Sequence, residues 1–251
     1  MNPLHWSQLS KLRESPAHYR YYLDNPQRPT TAMTFSTLVH AALFGPGPYG
    51  LPVVFDGSRR GNAWKAFKED NVGSEIVTSD EVDRASDVAA AVSSDPVAGP
   101  LVEKGVAERT IQWKVGDREC EGTPDNVLAG ATIDLKVSPV NSPARFPAHA
   151  ARMGWHGQQA WYANGLKASG WVEVPECKII AVAPKPPYCP VVYDLTPDDL
   201  EMGAKLWRSL FEQLLVCEAS DVWPGYVQTE IPLNIPDGDF EIVMGGETIE
   251  M

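Results

Sequence analysis

The chain has 251 residues, of which 43% are hydrophobic and 22% charged, as is usual for a globular protein that can bury a sizeable core. No apolar run approaches the roughly 20 residues that span a bilayer, and no basic stretch followed by an apolar run opens the chain. We therefore expect a cytoplasmic protein without a membrane partner. Its net charge of −12 argues against tight, freely diffusing DNA binding, which needs clustered Lys and Arg.

The four cysteines, Cys120, Cys177, Cys189 and Cys217, show no C-x₂-C spacing. In a chain without a secretory signal, this pattern favours reduced core thiols over disulfides. No G-x-x-x-x-G-K-[ST] loop is present, so ATP is not an expected cofactor.

The first part of the chain has mainly helical patterns. A helix is predicted over 5–24 with a break at Ser15-Pro16, another over 34–44, and an Ala-rich third over 78–93 that Thr78 and Glu81 open as a capping box.

The Gly/Pro-rich segment 45–61 ends in Arg59-Arg60 and runs into a helix that carries Trp64. It is the most basic part of the chain. The segment is either a loop that follows DNA phosphates or an ordinary solvated loop, and the sequence favours both equally.

From Val106 the pattern changes to alternation between polar and apolar residues, which predicts a strand over 106–115. Gly116-Asp117 makes a turn into a second strand over 118–122. Glu108 stands near the start of the first strand, where a half-exposed glutamate needs no special role.

Asp125 precedes a short strand, and the turn at Ala129-Gly130 leads into a second strand over 131–137. Residues two apart on a strand share a face, so Asp134 and Lys136 project together and the hairpin returns Asp125 to their side. Two carboxylates and an ammonium then converge where a divalent cation and a scissile phosphate fit. The alternative is a surface hairpin with an ordinary Asp–Lys pair.

A helix is predicted over 147–167, in which Gln158 and Tyr162 lie four apart on one face, with Trp155 on the same side. After this helix we expect a buried strand over 172–183, a strand over 191–195, and a helix that begins at Thr196 and ends near Ala219. The helix turns Leu206, Trp207, Leu210, Leu214 and Leu215 inward, and a tail of loops and short strands begins at Trp223-Pro224.

Pro124-Asp125 followed by Asp134-Leu135-Lys136 resembles the signature of the PD-(D/E)XK nuclease superfamily. Four further stretches make the chain similar to its RecE-type branch, the exodeoxyribonuclease VIII-like phage exonucleases: 9–19 (LSKLRESPAHY), 37–43 (TLVHAAL), 155–162 (WHGQQAWY) and 183–188 (APKPPY).

The resemblance implies an α/β fold with a restriction-endonuclease-like core, in which α-helices flank a mixed central β-sheet. It implies one domain over 1–251, with a mainly helical section 1–104, a nuclease core 105–220 and a C-terminal tail 221–251. The implied catalytic residues are Asp125, Asp134, Lys136 and Gln158; the metal site contains Asp125, Asp134, Leu135 and His40, with Glu108 in support; and the substrate-binding residues are Gln158, Tyr162, His156, Arg59 and Arg60.

The function that follows from the resemblance is metal-dependent degradation of double-stranded DNA from its ends, 5′ to 3′, leaving a 3′ single-stranded tail for recombination by strand annealing. The implied cofactor is Mg²⁺, which Mn²⁺ can replace. Relatives with an iron–sulfur cluster place three cysteines in a tight group after the lysine strand, and this chain does not, so no cluster is expected. The implied partners are DNA ends, a RecT-like annealing protein and further copies of the chain in a ring of four, or else three. The implied location is the cytoplasm of a bacterial host cell, with the protein encoded by a phage or prophage. A structure- or site-specific endonuclease and a catalytically silent nucleic-acid-binding module are the alternatives.

Overall fold

The computed structural model of the chain describes residues 2–25, 27–47, 50–173, 175–226 and 229–232, together with the backbone of two terminal strands, 241–244 and 247–250. Among these residues, no helix combines the length and the apolar character that a membrane crossing requires.

The N-terminal section is mainly helical, as predicted. Its elements in chain order are β1 (Leu4–His5), α1 (Trp6–Leu9), a 3₁₀ helix (Ser10–Arg13), α2 (Pro16–Asp24), α3 (Thr31–Phe44), β2 (Val53–Val54), α4 (Gly61–Asp70), β3 (Ile76–Val77), α5 (Ser79–Ser94) and α6 (Gly99–Glu103). The predicted capping box is present at the start of α5, where the Thr78 hydroxyl accepts from the Glu81 amide and the Glu81 carboxylate accepts from the Thr78 amide.

The remainder of the chain alternates strands and helices. The elements are β4 (Val106–Ala107), β5 (Ile111–Val115), β6 (Arg118–Gly122), β7 (Asn126–Val127), β8 (Ala131–Val137), α7 (Phe146–Met153), α8 (Trp155–Ala168), β9 (Glu176–Val182), β10 (Val191–Asp194), α9 (Pro197–Ser220), β11 (Glu241–Met244) and β12 (Glu247–Glu250).

A five-stranded mixed sheet in the order β10-β9-β8-β7-β4 forms the centre of the fold. β8 and β9 are parallel, and the other neighbouring pairs are antiparallel. A second sheet in the order β1-β6-β5 stands beside it, and β2 pairs with β3. The predicted mixed central sheet is confirmed.

Helices cover both faces of the central sheet, and the alternation of β8 divides its side chains between them. Ile133 and Leu135 pack in the apolar cluster that α3 and α5 contribute to. Thr132, Asp134 and Lys136 face the other way, where Thr132 bonds Gln159 and Lys136 bonds Gln158 of α8. The polar residues of β8 therefore lie under α8.

The strand predicted over 106–115 is interrupted. β4 ends at Ala107 and belongs to the central sheet, whereas β5 begins at Ile111 and belongs to the second sheet. Glu108 has a φ of 50°, a left-handed conformation that extended strands do not contain. The alternating pattern continues across this corner, which is why the prediction of one strand was wrong.

The helix predicted over 147–167 is two helices, α7 and α8, with Gly154 between them in the left-handed conformation at φ 76°. The Arg13 guanidinium donates to the carbonyl oxygens of Arg152 and Met153 at 2.6 and 2.8 Å, so it caps the end of α7. The prediction of one helix overlooked Gly154, because a glycine in the left-handed conformation commonly ends a helix, and Arg13 adds its cap from about 140 residues away in sequence.

Smaller differences concern exposure and segment boundaries. Leu215 of α9 is 45% exposed instead of inward, and Phe211 and Cys217 take inward positions. The thiol of Cys189 is exposed, whereas those of Cys120, Cys177 and Cys217 are buried as expected. The predicted loop 45–61 contains β2, and part of the predicted tail lies outside the described residues.

Candidate active site

Asp134 and Lys136 form the centre of a polar cluster on β8. They project to the same face, and the Lys136 ammonium lies 2.6 Å from Asp134 Oδ2. Asp134 is 1% exposed. This ion pair with Lys136 is the only polar contact that the described residues offer to the buried Asp134 Oδ2.

Asp125 joins this strand to α3. Because β7 is only two residues long, its pairing with β8 ends at Asn126 and Ile133, and the backbone amide of Leu135 is left facing Asp125. This amide donates to Asp125 Oδ2 at 2.6 Å. On its other side, Asp125 Oδ1 lies 3.3 Å from His40 Nδ1.

Glu108 completes a compact group of possible cation ligands. One oxygen or nitrogen atom from each of His40, Glu108 and Asp125 lies within 4.8 Å of the other two. The left-handed backbone at Glu108 and its amide, which donates to the Asp125 carbonyl at 3.0 Å, hold the glutamate in this position. The sequence predicted only a supporting role for Glu108, whereas the structure places its carboxylate in the group itself.

A chain of hydrogen bonds extends from Lys136 to α8. Lys136 Nζ donates to Gln158 Oε1 at 3.0 Å, and Gln158 Nε2 donates to the Tyr162 hydroxyl at 3.0 Å. The ring of Trp155 lies 5.5 Å from Lys136 Nζ. The predicted common face of Gln158, Tyr162 and Trp155 is therefore the face towards the cluster, and it fixes the position of the ammonium.

Burial and mutual repulsion perturb the acidic groups of the cluster. Burial and the nearby charge of Asp125 raise the pKa of Asp134 to about 6, despite the opposing charge of Lys136. Burial would also raise the pKa of Asp125, but the charges of His40 and Lys136 and the amide of Leu135 outweigh it and lower that pKa. The pKa of Glu108 is raised, first by burial and then by the charge of Asp125.

The residues fit a divalent cation. Hard cations prefer carboxylate and carbonyl oxygens, and an imidazole adds a ligand that suits a transition metal such as Mn²⁺. His40, Glu108 and Asp125 form one group of ligand atoms, and Asp134 lies outside that group but near enough to Asp125 for their charges to interact, with Lys136 beside it. A cation would offset this concentration of negative charge.

Three predicted substrate-binding residues lie apart from these contacts. His156 faces the side of α8 that packs on α9, where burial and the charge of Arg13 lower its pKa. Arg59 donates to the carbonyl of Ile76 at 3.3 Å, and Arg60 is exposed at the start of α4. Their roles stay predictions, and the described contacts do not connect them to Asp134 or Lys136.

Comparisons with known proteins agree on one class of fold. A family model described as "PDDEXK-like domain of unknown function (DUF3799)" matches residues 6–230. A crystal structure of a protein from Eubacterium rectale, named "Putative exonuclease", superposes with a TM-score of 0.66 at 13% identity, over 94% of this chain and 91% of that one. A search of curated proteins found no match.

Proposed function

Because the chain belongs to this PDDEXK-like family, and so to the PD-(D/E)XK nuclease superfamily, we propose that it is a metal-dependent exodeoxyribonuclease acting on the ends of double-stranded DNA. The observation that carries the proposal is the contact set of Asp125, Asp134, Lys136 and Gln158 on one side of the central sheet. The RecE-type motifs support a 5′ to 3′ direction that leaves a 3′ single-stranded tail, with all of 1–251 acting as one domain.

Asp125, Asp134, Glu108, His40 and the backbone carbonyl of Leu135 would hold the cation. When bound, it would neutralise charge on the scissile phosphate and make a nearby water more acidic. Mg²⁺ is the proposed physiological ion. We expect Mn²⁺ to substitute, because His40 supplies a nitrogen ligand that Mn²⁺ accepts more readily.

Lys136 is the residue that we propose to act on the attacking water and on the charge of the transition state. An ammonium can orient a water or balance developing negative charge, provided that its position is fixed. Gln158 and Trp155 provide that restraint from α8, and Asp134 provides it from β8. Tyr162 is buried and supports Gln158, so its proposed effect on the substrate is indirect.

The segment 58–68 is the proposed DNA-guiding surface. It has four basic residues, Arg59, Arg60, Lys65 and Lys68, and no acidic one, in a chain with a net charge of −12. The Arg59 guanidinium and the Lys68 ammonium lie 5.8 and 5.3 Å from the ring centroid of Trp64, and Arg59 also pairs with Glu81 at 3.8 Å. Clustered cations of this kind can contact phosphates despite the acidic remainder.

Assembly offers a way for an acidic enzyme to remain on long DNA. We propose a ring of four subunits, with three as the alternative, because a closed ring retains a duplex without tight binding and brings the basic segments together. We propose that a phage or prophage gene encodes this protein, that it acts in the cytoplasm of a bacterial host, and that a RecT-like annealing protein takes up the 3′ tail.

Digestion of linear, nicked and covalently closed circular DNA with Mg²⁺ tests the proposal. We expect the enzyme to consume the linear form alone. A label at the 5′ end should be released before a label at the 3′ end. Cleavage of the closed circle would instead identify an endonuclease. Stability of all three forms with Mg²⁺ and with Mn²⁺ would contradict hydrolysis altogether.

A further inference from the structure

Arg109, the residue that follows Glu108 in the chain, stacks on an exposed tryptophan. The Arg109 guanidinium carbon is 3.6 Å from the ring centroid of Trp171, whose side chain is 36% exposed. Arg109 is itself exposed, and no described carboxylate forms an ion pair with it. This cation is therefore oriented but not neutralised.

The backbone on both sides of the stack fixes its position. Arg109 follows Glu108, which the left-handed turn and the hydrogen bond to Asp125 hold in the cluster. Thr110, the next residue, has its hydroxyl 3.2 Å from that of Thr123. The Trp171 amide donates to the Leu166 carbonyl at 3.0 Å, which ties the tryptophan to the end of α8.

The stack lies at one end of the polar face of α8. At the other end of α8, Trp155 lies against Lys136. Between these two ends lies Tyr162, whose pKa is raised first by burial and then by the charges of Asp134, Asp125 and Glu108. The 14 residues of α8 correspond to about 21 Å. One cation–aromatic pair therefore lies near each end of α8.

The geometry suits a phosphate. Stacking covers the face of a guanidinium but leaves the N–H groups at its edge free to donate, and their fork matches two phosphate oxygens. Pre-orientation by the ring lowers the entropy lost when the bond forms.

We propose that Arg109, oriented by Trp171, binds a backbone phosphate of the DNA beside the carboxylate cluster. This inference rests on the proposed function and adds a substrate-binding residue to it. Arg109 holds the strand at the Glu108 side of the cluster, while Lys136 acts at the opposite side.

The test is DNA affinity without hydrolysis. Binding of a fluorescein-labelled linear duplex is measured by anisotropy in EDTA, between 25 and 200 mM salt, for the wild type, Arg109→Ala, Arg109→Lys, Trp171→Ala and the double alanine variant. Arg208→Ala is the matched control, because Arg208 also lies against a tryptophan, Trp207 at 5.5 Å, but on α9. Metal-dependent hydrolysis of the same duplex is measured for each protein.

We expect Arg109→Ala to raise the Kd about tenfold and to reduce the salt slope by about 1, as for one lost phosphate contact. Arg109→Lys should keep the slope but lose part of the affinity, since it keeps the charge without the fork. Trp171→Ala should raise the Kd about threefold, and the double variant should bind no worse than Arg109→Ala.

A Kd and salt slope for Arg109→Ala equal to those of Arg208→Ala would overturn the inference. If the wild type still hydrolyses DNA in that case, the proposed function stands and only the role of Arg109 fails. A wild type that neither binds nor hydrolyses the duplex would refute both.

Discussion

Replacing Lys136 with alanine should abolish most of the catalysis while leaving the protein folded. The substitution removes an ammonium that lies 2.6 Å from Asp134 and 3.0 Å from Gln158. Positioned groups of this kind increase the rate of reaction by a factor of about 10²–10⁴. We therefore expect a loss of at least about 100-fold in single-turnover hydrolysis of an end-labelled duplex.

The cost in stability should be much smaller than the cost in rate. Without Lys136, Asp134 can take up a proton instead of remaining as an unpaired buried charge. Its pKa is already raised to about 6, so protonation at pH 7 costs at most about 1.4 kcal/mol. The expected loss in the free energy of unfolding, from urea denaturation in EDTA, is about 1–2 kcal/mol.

Two further measurements make this prediction decisive. Lys178→Ala is the matched control, because Lys178 pairs with Glu176 at 3.2 Å and Asp194 at 2.9 Å on the adjacent strand. It should retain wild-type turnover. Calorimetric titration with Mn²⁺ should show that Lys136→Ala still binds the ion. Turnover within tenfold of the wild type, or lost Mn²⁺ binding with retained chemistry, would refute the assigned role.

Three other predictions concern different parts of the molecule. Gln158→Ala should lower turnover about 10–100-fold with unchanged Mn²⁺ affinity, because it removes the acceptor that positions Lys136; equal turnover in stopped-flow assays would contradict this. Gly154→Ala should lower the free energy of unfolding by about 2–3 kcal/mol, because at a φ of 76° the added Cβ would lie 2.5 Å from Arg13 Nη1. Gly170→Ala is the control: its φ is 72° but the space around it is open, so it should cost only about 1 kcal/mol in the same urea series. At pH 8 one thiol, Cys189, should react rapidly with a disulfide reagent, and all four should react after denaturation. Burial raises the pKa of Cys120 and Cys177 to about 11 and keeps these thiols protonated. Several fast-reacting thiols in the native protein would refute the assignment.

The centre of the site was predictable because it depends on short-range pattern. Asp134 and Lys136 are two apart on a strand, and the turn after Leu128 returns the chain in a hairpin, so local geometry alone brings Asp125 to their side. The shared face of Gln158 and Tyr162 follows equally from their spacing on a helix.

The parts that were not predictable depend on contacts between distant residues. Glu108 joins His40 and Asp125 only because the chain leaves one sheet and enters another at that point, which the alternating pattern does not indicate. The cap that Arg13 places on α7 and the stack of Arg109 on Trp171, beyond the end of α8, are contacts of the same kind. Periodicity carries no information about such partners.

The most direct test of the central claim is metal-dependent hydrolysis by the wild type, Asp125→Ala and Asp134→Ala on one end-labelled linear duplex. Circular dichroism is recorded on each protein to show that the fold is intact. The account predicts hydrolysis by the wild type with Mg²⁺ or Mn²⁺, none in EDTA, and none by either variant, because each removes a carboxylate from the cluster around β8. Near-wild-type hydrolysis by either folded variant would show that the active site lies elsewhere.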